Sequence, residues 1–105
     1  MTLRIVIGDD SVLLREGIAR LLTEAGFEVV GQAGDAATLI AAVKAQHPDV
    51  AIVDIRMPPT HTDEGLRAAE AIRTEHGNGI GILVLSQYVE TTYALKLVTE
   101  AAGGM

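Results

Sequence analysis

The sequence has no cysteine and no tryptophan, and only one phenylalanine, two tyrosines and three prolines. Without cysteine there is no disulfide framework and no thiolate metal site, so a metal bound here would take oxygen ligands, and the composition suits a reducing compartment. With aromatics at 3%, the core has to be assembled from Val, Ile, Leu and Ala, the mixture of a buried parallel sheet covered by helices. Basic residues are scarce as well. Eight Lys and Arg face fourteen Asp and Glu, a formal net charge of -6, which argues against this segment itself binding nucleic acid, because such binding rests on neutralising phosphates. No signal peptide or membrane-spanning apolar run is present, and a soluble cytoplasmic protein without membrane contact is expected. What is there suffices for one core: 105 residues, 49% hydrophobic and 21% charged, fit a single domain over 1–105.

The apolar runs alternate with helical patterns. Leu3 to Gly8 reads as a strand buried on both faces and closed by Asp9 and Asp10. Ser11 caps a helix to about Ala25 in which Val12, Ile18, Leu21 and Leu22 recur at helical spacing, and Gly26 stops it. Phe27 to Ala33, tempered by Glu28 and Gln32, reads as an edge strand. Asp35 caps a second helix carrying Leu39, Ile40 and Val43, which ends before Pro48. Val50 to Val53 is the most strand-like stretch and runs into Asp54, after which Met57-Pro58-Pro59-Thr60 forces a loop. A third helix is expected from Asp63 to His76, a fourth buried strand from Ile80 to Leu85 ending at Ser86, and a fourth helix from Glu90 to Ala102. The βαβαβαβα order implies a doubly wound α/β fold with strand order 2-1-3-4 and a crevice at the carboxyl ends of the strands.

Three strand ends carry reactive groups in that crevice: Asp9 and Asp10, Asp54, and Ser86. Strands one and three adjoin where the order reverses, so their carboxylates should meet and need a counterion. Oxygen ligands suit Mg²⁺. With that ion in place, Asp54 is able to act as a nucleophile towards a phosphoryl donor, and Ser86 to donate to the group it holds. Acid pairs at strand ends also occur as plain solvated caps, and Ser86 alone reads as a loop hydroxyl; the combination carries the signal. His47, His61 and His76 lack metal-ligand spacing and are read as structural or solvated.

Asp9-Asp10, Asp54-Ile55-Arg56-Met57-Pro58 and Leu83-Val84-Leu85-Ser86, in this order and spacing, resemble the receiver domains of bacterial two-component response regulators, with a flavodoxin-like (CheY-like) fold. Pro59 to Leu66 and Leu85-Ser86-Gln87-Tyr88 are similar to the NarL/FixJ (LuxR-type) subfamily, whose members carry a C-terminal DNA-binding helix-turn-helix. The resemblance implies that Asp54 takes a phosphoryl group from a sensor histidine kinase. It implies that Asp10 ligates Mg²⁺, that Asp9 helps hold the metal and its waters, that Asp54 and the Arg56 backbone carbonyl complete the set, and that Ser86 is the switch hydroxyl. Tyr88 and Tyr93 are candidates for a partner surface. Such a domain is a signalling module rather than an enzyme, at most phosphorylating itself from small donors and dephosphorylating itself; phosphatases with an aspartyl nucleophile usually have a second Asp two residues later, where this chain has Arg56.

Receivers continue with a fifth strand bearing a Lys, and a fifth helix; both are expected to be missing here, since the only lysines are Lys44 and Lys96 on expected helices. The alternative reading is therefore a phosphorylation-independent interaction or dimerisation domain. An uncovered fourth strand would be an apolar edge that pairs with another chain, giving a homodimer or a swapped dimer. Light scattering on the chain is expected to give a mass above that of one copy; a single-copy mass at high concentration counts against it.

Overall fold

The computed structural model describes residues 2–58 and 62–85, so the expected fourth helix, and with it Ser86, Tyr88 and Tyr93, lies outside the described residues. The elements are β1 (Arg4–Gly8), α1 (Val12–Glu24), β2 (Glu28–Ala33), α2 (Ala36–Gln46), β3 (Val50–Asp54), α3 (Glu64–His76), a 3-10 turn (Gly77–Gly79) and β4 (Gly81–Leu85). The strands form one four-stranded sheet in the order β2-β1-β3-β4, parallel throughout, as the alternating pattern implied. An extra residue on β2 between Val29 and Gly31 bulges its pairing with β1.

Alternating side chains split the core into two layers. On one face Val6, Ala51 and Val53 pack with Leu39 and Val43 of α2 and Ala68 and Ile72 of α3. On the other, Ile5, Ile7 and Ile52 pack with Ala19 and the half-buried Ile18 and Leu22 of α1. Both expected caps form: Ser11 Oγ accepts the Leu14 N–H at 3.3 Å, and Asp35 Oδ1 accepts the Thr38 N–H at 2.7 Å. The Thr38 bonds hold the Asp35 carboxyl below its ordinary value, so this contribution to stability is present above the usual carboxylate range and lost as pH falls through the lowered value.

Two expectations about burial need correction. Val12 and Leu21 are not core residues; they are 55% and 67% exposed. The stripe turned to the sheet instead runs Arg15, Ile18, Ala19, Leu22, the i, i+3, i+4, i+7 face. The fourth strand is not buried on both faces, since Gly81 and Leu83 are exposed and none of its residues is as buried as Ile80, which lies between the 3-10 turn and the strand. Among the described residues it is a terminal strand, with β3 as its one neighbour.

Two glycines permit close approaches that position the strand ends. A Cβ on Gly8 would sit 2.8 Å from Leu39 Cδ2, and one on Gly65 would overlap the Asp54 carbonyl oxygen and come 2.7 Å from the Ile55 Cα. The Gly65 N–H donates to the Ile55 carbonyl at 2.8 Å, so the first turn of α3 is seated on the backbone that leaves β3. Helix propensity alone would make Gly65→Ala stabilising by about 1 kcal/mol. The clash should reverse that sign and cost about 1–3 kcal/mol in urea unfolding, while Gly17→Ala in α1, where nothing lies within 4 Å, should give the propensity gain. Equal gains at both positions would show that α3 is not held against the β3 exit.

Candidate metal centre

The parallel pairing of β1 with β3 aligns Gly8 with Val53, which brings the residues that follow, Asp9 and Asp54, to the same rim of the sheet. Asp9, Asp10 and Asp54 each offer a carboxylate oxygen, and these lie within 4.8 Å of one another. Asp9 and Asp54 are buried, at 1% and 2% exposure, and Asp10 is half-buried. The sequence-predicted acids therefore do converge.

Each acid is fixed by local backbone contacts. The Asp9 N–H donates to the Ala33 carbonyl at 3.0 Å, and Asp9 Oδ1 accepts the Ser11 N–H at 2.9 Å. Asp54 Oδ1 accepts the Arg56 N–H at 3.3 Å, and its Oδ2 is buried. The segment that leaves Asp54 is anchored at two points: the Ile55 N–H donates to the Leu85 carbonyl at 2.9 Å, and Met57 is fully buried in the core with residues of α2 and α3. Met57 thus secures the strand exit that the sequence indicated, while the Arg56 side chain is exposed.

Charge dictates what such a rim accommodates. Two carboxylates 4.8 Å apart repel by about 3 kcal/mol at an effective dielectric constant near 20, and burial removes the water that would screen them. A hard divalent cation with oxygen preference relieves both penalties, and a few carboxylates that leave room for water and phosphate oxygens match what Mg²⁺ takes in proteins. The donor set fits that ion.

Sequence reasoning missed two contributors. Gly65 was visible only as a helix glycine, whose purpose becomes apparent once α3 is seen against β3. Arg15, read as part of a helix, turns out to donate through Nη1 to the Asp9 carbonyl at 2.7 Å; its one sequence signal is a basic residue on the stripe that carries Ile18 and Leu22. A cleft of about 450 Å³ whose lining among the described residues is Asp35, Ala36, Ala37, Pro58 and Glu64 opens between the starts of α2 and α3.

Comparison with known proteins agrees with this geometry. Residues 5–105 match the family model of the response regulator receiver domain. The chain is 36% identical over 102 residues to the probable transcriptional regulatory protein NarL of Mycobacterium tuberculosis, covering 96% of this chain and 45% of that protein. It is 33% identical over 103 residues to the transcriptional regulatory protein DegU of Brevibacillus brevis, covering 97% of this chain and 42% of that protein. The chain thus spans less than half the length of these curated relatives. Among solved structures, the receiver domain of the putative response regulator NarL from Mycobacterium tuberculosis is similar with a TM-score of 0.75 at 34% identity, covering 94% of this chain and 77% of that one. A LuxR-family response regulator from Aurantimonas sp. SI85-9A1 is similar with a TM-score of 0.77 at 30% identity, covering 94% and 69%. The parallel sheet, the acids on its rim and these similarities identify the chain as a member of the response regulator receiver domain family, in its NarL/FixJ branch.

Proposed function

We propose that Asp54 is the phosphoacceptor, and that the phosphoryl group comes from the phosphohistidine of a sensor histidine kinase and controls a DNA-binding output region of a cytoplasmic transcription regulator. The observation that carries this reading is the convergence of the Asp9, Asp10 and Asp54 carboxylates within 4.8 Å of one another at the strand ends. Asp9, Asp10, Asp54 and the Arg56 backbone carbonyl would hold Mg²⁺, which supplies charge neutralisation for the transferring oxygens.

In the transfer, an Asp54 carboxylate oxygen attacks phosphorus, the P–N bond to the donor imidazole breaks, and a P–O bond to Asp54 forms; the imidazole leaves and takes its proton from solvent. The Arg56 N–H on Oδ1 and the anchored Ile55 and Met57 beside it hold the carboxylate still, so that orientation is provided before the donor arrives. Asp9, held by Ser11, keeps its place in the cation set. In the same reading Ser86 donates to the phosphoryl oxygens and transmits the change, and Tyr88 and Tyr93 belong to a partner surface; all three lie outside the described residues.

Treatment of the full-length protein with acetyl phosphate and Mg²⁺ is expected to add one phosphoryl group, detected by mass spectrometry. Chelation of the metal or Asp54→Asn should abolish it. Undiminished modification of the Asn variant would refute the assignment.

A further inference from the structure

Among the described residues Asp9 has three polar attachments: its N–H to Ala33, its Oδ1 to Ser11, and its carbonyl to Arg15 Nη1 at 2.7 Å. Only the last is made by a charged side chain. Arg15 is half-buried on the inner stripe of α1, and its Nε donates to Gln32 Oε1 on β2 at 3.2 Å. A Cβ at position 34 would lie 3.3 Å from Nη1, so Gly34 leaves the guanidinium its place. One planar fork thereby joins α1, the exit of β1 and the edge strand β2.

We propose that Arg15 is a positioning residue for the acidic cluster: by holding the Asp9 carbonyl it fixes the turn that presents Asp9 and Asp10, and so sets the cluster's affinity for a divalent cation. This rests on reading the cluster as a Mg²⁺ site. A guanidinium suits the task because its rigid fork serves two acceptors at once, whereas an ammonium is a single point on a flexible stem.

Two effects of opposite sign separate this role from a simple charge effect. If Arg15 acted only as a nearby positive charge, its removal would strengthen Mg²⁺ binding. If it positions the turn, removal weakens binding, as loss of a supporting hydrogen bond around metal ligands does, by about tenfold at the lower end of the usual range.

The test is Mg²⁺ titration by calorimetry of the wild-type chain, Arg15→Met and Arg15→Lys, with urea unfolding in chelator measured alongside. Arg15→Met, folded in chelator, is expected to bind about tenfold more weakly, and Arg15→Lys, which keeps one donor for the Asp9 carbonyl, to recover most of the loss. Binding by folded Arg15→Met as tight as wild type or tighter would overturn the proposal, leaving Arg15 a stability contact. Should Arg15→Met fail to fold, Arg15→Lys decides: about threefold weaker binding supports the role, and unchanged or tighter binding overturns it. A wild-type chain that takes up no Mg²⁺ would instead overturn the cation reading, and this proposal with it.

Discussion

Three carboxylates held within 4.8 Å of one another are the constraint on which the rest of the rim depends. Left alone, such groups move apart, since like charges repel most strongly where water does not screen them. Here the backbone prevents separation. Asp9 is tied through its own amide to Ala33 and through its side chain to Ser11, and Asp54 through its side chain to the Arg56 amide. These are charge-assisted or strand-type bonds at the ends of rigid elements, so the cluster is an imposed arrangement rather than an incidental one.

The imposition comes from the two layers of core. Val6 and Val53 face α2 and α3 while Ile5, Ile7 and Ile52 face α1, so β1 and β3 are gripped on both sides and their register is fixed. A one-residue slip of β3 against β1 would exchange its two apolar sets between layers of different shape. The loop after Asp54 is likewise constrained: buried Met57 holds it from the core, and the first turn of α3 presses on it through Gly65, where a side chain has no room. Rigidity at the strand ends therefore derives from packing some distance below them.

Much of this was legible in the sequence. Strands buried on both faces leave continuous apolar runs, and Asp9, Asp10 and Asp54 announced the carboxyl ends because polar residues interrupt those runs at the rim. Helix caps at Ser11 and Asp35 were legible for the same local reason. The phase of α1 was not. Val12 and Leu21 belong to an apolar-rich helix whose inner face is set by the sheet beneath it, and hydrophobic recurrence alone does not fix which side turns inward. The incomplete burial of β4 depends on what lies beside and over it, and the function of Gly65 depends on a neighbour ten or so residues back in the chain. Arg15 escaped notice because its acceptors are a backbone carbonyl and an amide on another element, neither of which leaves a pattern around position 15.

Charge also orders the events in the proposed function. A phosphoryl group on Asp54 would replace the single carboxylate charge by roughly two, a net gain of about one negative charge on a rim already crowded with carboxylates, in a chain of net charge -6. Repulsion of that size is not offset by amide donors alone, which are worth only about 1.5–3 kcal/mol each when they meet a charged acceptor. In that reading a cation held by the three acids would offset this repulsion as the group arrives. On the same reading, whatever fixes the three acids, the Asp9 turn above all, would bear on phosphorylation without touching the phosphoryl group.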